Sequence, residues 1–245
     1  MLVARNILAA LAFLKLTSCA VPVVPKGYNV PEITHSPNHH YGVAVPDIFE
    51  ENPALASNSL VDLRTGRILG ELKGLRVGFS RQNHGGVVPT RWSRDGTLLL
   101  WFVYGKWCPH SLVLAKIKEG AISWQTDIQD IAQKEILRRT RQAAPKQYET
   151  SKMQNVGNGS VYPEGFTVDV HTEHENSRWV SVPLKVFVDL TSDPKFGTYY
   201  PEPPSPSRPL ESWLIGVVDS EGHFRVTHFE LGRRPKSGTD PTASF

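Results

Sequence analysis

Six consecutive apolar residues, Leu98, Leu99, Leu100, Trp101, Phe102 and Val103, make a strand-length run that predicts a central β-strand covered on both faces. Between Val182 and Leu190 the pattern changes to strict alternation: Val182, Leu184, Val186, Val188 and Leu190 are separated by Pro183, Lys185, Phe187 and Asp189. That period of two predicts a strand with one face packed inward, beginning late or lying at an edge because Pro183 cannot donate to a ladder. Trp213 to Val218 and Phe224 to Leu231 flank Asp219-Ser220-Glu221-Gly222, a turn sequence that closes a hairpin. A period near 3.6 occurs once, from about Asp127 to Ala144, where Ile128, Ile131, Ala132, Ile136 and Leu137 share one face. Thr126 with Gln129 matches a capping box for this helix, and Pro145 marks its stop. The polar stretch Gln147 to Gly159 reads as a loop, as does the proline-rich run Pro201 to Pro209.

Two segments share one order of parts. In Ser36 to Leu72, a turn Ser36-Pro37-Asn38-His39 leads into Tyr41 to Val45, and Ser59 to Leu63 turns at Thr65-Gly66 into Ile68 to Leu72. In Ser93 to Ile128, Ser93-Arg94-Asp95-Gly96 leads into Leu98 to Val103, and Ser111 to Ala115 turns at Glu119-Gly120 into Ile122 to Trp124. This grammar resembles the blades of WD-repeat-like and Tol-type β-propellers. A closed propeller takes about four or more blades, whereas this chain has room for two recognisable ones. The expected fold is therefore mainly β, an antiparallel sheet or small sandwich of blade-like meanders with one α-helix; α+β is the alternative.

The N-terminus carries a different pattern. Arg5 precedes an apolar run from Ile7 to Leu16, interrupted by Lys15 and followed by Leu16-Thr17-Ser18-Cys19. The run is too short for a hydrocarbon core that needs about twenty residues. It reads as an export signal, and its last four residues resemble the tetrad at which bacterial lipoprotein signals are cut, which would make Cys19 the acylated first residue. Cleavage after Ala20, with Ser18 as the second small residue, is the alternative and would release a soluble product. The expected organisation is a signal over 1–19, a tether over 20–35, blade-like meanders plus helix over 36–150, a C-terminal β unit over 160–232 and a disordered tail over 233–245.

Composition narrows the functional classes. The chain has two cysteines, Cys19 and Cys108, so an acylated Cys19 leaves no disulfide framework. Its formal net charge of +3 falls to +1 once Arg5 and Lys15 leave with the signal, since 27 basic residues become 25 against 24 acidic ones. That balance gives no support for nucleic-acid binding.

Candidate chemistry is sparse. His171-Thr172-Glu173-His174, with Asp169 beside it, is the best local metal-ligand cluster, but its order and spacing differ from His-Glu-x-x-His, and a solvated turn is the default. His35, His39 and His40 read as turn histidines. Cys108-Pro109-His110, with Lys106, sets a thiol near an imidazole without a third group to orient it. Gly105-Lys106 lacks the rest of a phosphate loop, and no Ser lies in a Gly-x-Ser-x-Gly elbow. Arg138, Arg139 and Arg141 form a basic helix patch, read as a solvated face. Trp92, Trp101, Trp107 and Trp124 fall in or beside the second meander, where alternation sends several into the core. Asp62, Asp169, Asp189 and Asp219 end or interrupt strands and suit caps as well as proton transfer.

No catalytic residue, metal or cofactor is assigned by these patterns. The expectation is a non-catalytic envelope lipoprotein, anchored to a membrane through lipid at Cys19 and binding another envelope protein or a glycan. Ala20 carries no acidic retention signal, which favours the outer membrane where there are two. The rival is a secreted hydrolase using Asp169, His171 and His174, which requires those side chains to converge in a concave pocket.

Overall fold

The computed structural model describes residues 24, 27–46, 58–74, 86–87, 91–104, 109–157, 163–173, 177–192 and 209–235. Cys19, Lys106, Trp107, Cys108 and His174 lie outside this set, as do the signal and the run from Pro201 to Arg208. The architecture is mainly β, in three antiparallel sheets with two helices.

The first sheet follows chain order: β1 (Tyr28–Asn29), β2 (Tyr41–Pro46), β3 (Ser59–Asp62) and β4 (Arg67–Glu71). The second contains β5 (Gly86–Val87), β6 (Arg91–Trp92), β7 (Leu98–Tyr104), β8 (Pro109–Lys118) and β9 (Ala121–Asp127), with β5 and β6 both pairing with β7. The third is the meander β10 (Thr167–Thr172), β11 (Leu184–Thr191), β12 (Glu211–Val218) and β13 (Phe224–Leu231). Each strand expected in the two repeated segments is present.

The apolar run of β7 divides its residues between two clusters. Leu99 and Trp101 pack with Val43, Val45, Leu60 and Trp92 towards the first sheet. Leu98, Leu100 and Phe102 pack with helix α1 (Ile128–Ala143) and with Val168, Val186 and Leu214 of the third sheet. β7 is thus covered on both sides, as its composition requires. α1 lies between β8 and the third sheet and buries Ile128, Ala132, Ile136, Leu137 and Thr140 along one face. Thr140 Oγ1 donates to the Ile136 carbonyl at 2.7 Å and shares a buried 2.6 Å hydrogen bond with Ser212 Oγ, fixing the helix to β12.

The repeated turns match bond for bond. Ser36 N donates to the Tyr41 carbonyl at 2.8 Å, Ser36 Oγ accepts from Tyr41 N at 2.9 Å, and the hydroxyl donates to Asn38 Oδ1 at 2.7 Å. Ser93 N donates to the Leu98 carbonyl at 3.0 Å, Ser93 Oγ accepts from Leu98 N at 2.8 Å, and its hydroxyl donates to Asp95 Oδ1 at 2.5 Å. Both serines are buried. The turns also touch, because Gly96, at φ +69°, leaves room for the Asn38 amide.

Ser36→Ala and Ser93→Ala should each cost about 1–3 kcal/mol in urea unfolding, since each removes the acceptor of two backbone N–H groups that are buried or partly buried. Ser93→Ala has a second readout. The Ser93 hydrogen bond, assisted by Thr97, holds the Asp95 carboxyl below its ordinary value. A depressed folded pKa contributes stability above the ordinary Asp range and loses it on acidification. The variant should therefore raise the Asp95 pKa in an NMR titration and flatten the acid limb of the stability curve.

Three differences from the sequence reading have physical causes. The cap of α1 is Asp127, whose Oδ1 accepts from Asp130 N at 3.1 Å, and not Thr126. The Thr126 hydroxyl is instead committed to the Gly222 carbonyl of the β12–β13 turn. Pro145 ends α1 but also opens a second helix, α2 (Pro145–Gly157), where composition predicts a loop. Its missing N–H and fixed φ suit a first helical position. The polar composition hides α2 because its anchor is a single ring: Tyr148, fully buried, stacks on Phe166 at 4.6 Å. Lys152 adds an ion pair to Glu164 at 2.6 Å, and Arg141 another to Glu149 at 2.7 Å. Finally, folded chain precedes Ser36. β1 pairs with β2, and buried Thr34 accepts from Val43 N at 3.0 Å.

β11 does begin late, at Leu184, but it is central, lying between β10 and β12. The β12–β13 turn is closed by Gly222 N donating to the Asp219 carbonyl at 3.1 Å.

Candidate functional site

Alternation in β10, β11 and β12 sends Val168, Val170, Val186, Val188 and Leu214 into the core and leaves a second, outward face. Register assembles that face in rows. Asp169 is opposite Asp189, which is opposite Trp213, which is opposite Glu230. In the next row His171 faces Phe187, then Ile215, then His228. Directly opposed residues have Cβ atoms about 5 Å apart, so these rows are contact rows.

After β13 the chain turns back across the sheet. Gly232 N donates to the Glu211 carbonyl at 2.7 Å, and its φ of +101° is open to glycine at little cost. This return brings Arg234 over β11. Its Nη2 lies 2.9 Å from Asp189 Oδ2 and its guanidinium carbon 5.1 Å from the Phe187 ring centroid. A half-open cleft there, of about 920 Å³, is lined by Asp169, Phe187, Asp189, Glu211, Trp213 and Arg234 among others. Trp213 is 2% exposed, its indole against the His228 ring with centroids 4.4 Å apart.

The Asp189 carboxyl is pushed above the ordinary Asp value, chiefly by burial, while Arg234 and His171 oppose the shift and Asp169 adds to it. An acid with a raised folded pKa makes stability fall as pH rises from the ordinary Asp value to the folded one. Arg234→Ala should push Asp189 further up and carry that fall to higher pH, as read by carboxyl NMR titration and urea unfolding at several pH values.

Of the metal-ligand candidates, Asp169 and His171 share the outward face of β10, two residues apart, so the solvated turn expected there gives way to a strand that ends in buried Thr172; His174 lies outside the described residues. Among the described residues no group of three or more His, Cys, Asp or Glu is placed to hold a metal ion. Pro109 and His110 belong to β8. His35 and His39 sit edge to face at 6.0 Å in the first turn. Asp62 and Asp219 cap turns: Asp62 Oδ1 accepts from Arg64 N at 2.9 Å, and Asp219 Oδ1 accepts from Glu221 N and His223 N, each at 2.9 Å. The basic helix patch is paired, with Arg138 and Arg139 both on Glu135 of the same helix and Arg141 on Glu149 of α2. Trp92 and Trp101 are core residues, and Trp124 packs against the core partly buried.

Sequence reading singles out Asp169 and His171 but not the groups that complete the face: Asp189 as their partner, Glu211, Trp213 and Arg234. One signal is legible, since Phe187 is a large aromatic at a wet position of an alternating strand. Compared with known proteins, the chain matches no family model, and no curated protein or solved structure is significantly similar to it.

Proposed function

We propose that this chain is a non-catalytic envelope lipoprotein, held at a membrane by acylated Cys19, that binds an extended segment of another envelope protein in the cleft of its third sheet. The observation that carries the binding role is the pairing inside the cleft. Arg234 pairs with the Asp189 carboxylate and lies over the Phe187 ring, which sets charges of both signs beside an aromatic side chain. A peptide segment, with backbone amides and charges of both signs, complements such a surface. A glycan is the weaker fit, because Trp213, the largest aromatic lining the cleft, is covered and offers no free face to a sugar ring. Kinship of the meanders with propeller blades belongs to the same proposal and draws support from the matching Ser36 and Ser93 turns. Among the described residues no helix is long and apolar enough to cross a membrane.

Intact mass and detergent partitioning of the chain expressed in bacteria test the anchor. The wild type should lack the signal, carry acyl chains and enter the detergent phase, and Cys19→Ala should not. An unacylated wild type removes the anchor, and an unprocessed one removes export. For the cleft, a photo-crosslinking residue at Thr191 should give one defined envelope adduct that Arg234→Glu abolishes. No adduct, or one indifferent to Arg234, removes the binding role.

One observation favours the secreted hydrolase as a second reading: Asp169 and Asp189 face each other from neighbouring strands, with His171 near enough to influence Asp189. Hydrolysis lost in Asp189→Asn and kept in Asp62→Asn would carry it.

A further inference from the structure

Among the described residues β13 is the last strand of its sheet. Among the described residues its only strand neighbour is β12, so its other side presents backbone groups that no described strand pairs. Between Ile215 and Gly216 of β12 the register shifts, and Thr227 is the extra residue of β13, its hydroxyl donating to the Ile215 carbonyl at 3.1 Å. The bulge decides which face each side chain takes. Phe224, Val226 and Phe229 pack inward against the core, and Leu231 falls opposite buried Ser212. Arg225 and Glu230 fall outward, opposite Val217 and Trp213.

We infer that β13 pairs antiparallel with β13 of a second copy about a two-fold axis between Thr227 and His228. In that register Phe224 meets Leu231, Val226 meets Phe229, and Arg225 meets Glu230, each contact occurring twice. Antiparallel partners share a face. In a regular strand, Arg225 and Glu230 would stand on opposite faces and this pairing would be forbidden. The extra residue at Thr227 restores the match, so inward residues meet inward ones and the two opposite charges meet outward. The bulge that would ordinarily blunt an edge here sets its self-complementarity.

The monomer leaves these groups available. Leu231 is 40% exposed, one of three large hydrophobic residues so exposed among those described. Arg225 is exposed and makes no ion pair among the described residues, and the Glu230 carboxylate is 59% exposed, with His228 Nε2 3.5 Å away. The axis runs through the sheet, so the two third sheets join into one and both clefts open on the same side.

The test is native mass spectrometry of the full chain, released from detergent, across a concentration series. The wild type should be dimeric. Arg225→Glu sets a second carboxylate opposite that of Glu230, and Glu230→Arg sets like positive charges together, so each should weaken the dimer by at least about tenfold. The double variant Arg225→Glu with Glu230→Arg restores opposite charges and should recover dimerisation. Both positions are exposed, and unchanged circular dichroism spectra confirm that each variant is folded. A wild type that is monomeric at about 100 µM overturns the inference. So does a dimer indifferent to either single charge reversal, or one that the double variant fails to restore.

Discussion

Leu100→Ala should lower the unfolding free energy by about 3–5 kcal/mol, in the upper part of the range for buried leucines. Leu100 is fully buried and pairs across strands with Leu114, also fully buried. Its cluster includes α1 on one side and the third sheet beyond. A helix held between two sheets cannot relax into the space left by a lost isobutyl group, so the cavity term is felt almost whole. Leu99→Ala should cost a similar amount through a different set of neighbours, because Leu99 points into the cluster shared with Val43 and Trp101. In a chain of this size, a loss of that order moves the melting temperature by roughly 10 °C. Ile33→Ala, at a residue 49% exposed, supplies the comparison and should change stability by under about 0.5 kcal/mol. Urea unfolding of the three variants is the measurement. A small loss at either Leu99 or Leu100 would mean that one face of β7 is not covered.

That pair of substitutions also tests what is legible in the sequence. The unbroken run Leu98 to Val103 announces a strand with two dry faces, and the alternation around Val186 announces one with a single dry face; both readings follow from side-chain period alone. The repeated turns are legible because their chemistry is local: a serine two residues before an Asn or Asp and five before the strand's first residue. α2 is not legible, since it rests on Tyr148 meeting Phe166, and the partner lies beyond the helix itself. The capping pattern misses the true cap of α1 by one residue because the competing role of Thr126, bonding the Gly222 carbonyl, comes from a hairpin remote in sequence.

The cleft is legible in half. Asp169 and His171 are singled out as polar neighbours in a segment that reads as a turn, whereas both lie in β10, and their opposition to Asp189 and Phe187 depends on the β10–β11 register. Arg234 cannot be placed at all. Composition assigns it to the tail, whereas the turn at Gly232 carries it back across the sheet. Charge pairing of this kind is invisible until topology brings remote segments together, which is why the site's chemistry emerges only with the fold.

Trp92→Ala should match or exceed the Leu100 effect, at about 3–5 kcal/mol, and should act unevenly along the chain. Trp92 is 3% exposed and stands where the sheets meet. Its indole Nε1 donates to the Thr34 carbonyl at 3.1 Å, and its ring stacks on Tyr41 with centroids 6.3 Å apart and planes 19° from parallel. Its backbone carbonyl accepts from Val180 N at 3.1 Å, a bond the substitution leaves in place. Thr34 in turn supplies the hydroxyl that bonds Val43 N and O, so loss of the indole removes support from the start of the first sheet. Hydrogen exchange should therefore show amides of β2 and β3 opening well before those of β11 and β12. Trp92→Phe separates the two contributions. It keeps a ring against Tyr41 but leaves the Thr34 carbonyl without its donor, and should recover part of the loss while remaining about 1–2 kcal/mol below wild type. Uniform loss of protection across all three sheets in Trp92→Ala would show that the sheets unfold as one unit, and that Trp92 fills volume without acting as the tie that holds the first sheet to the second.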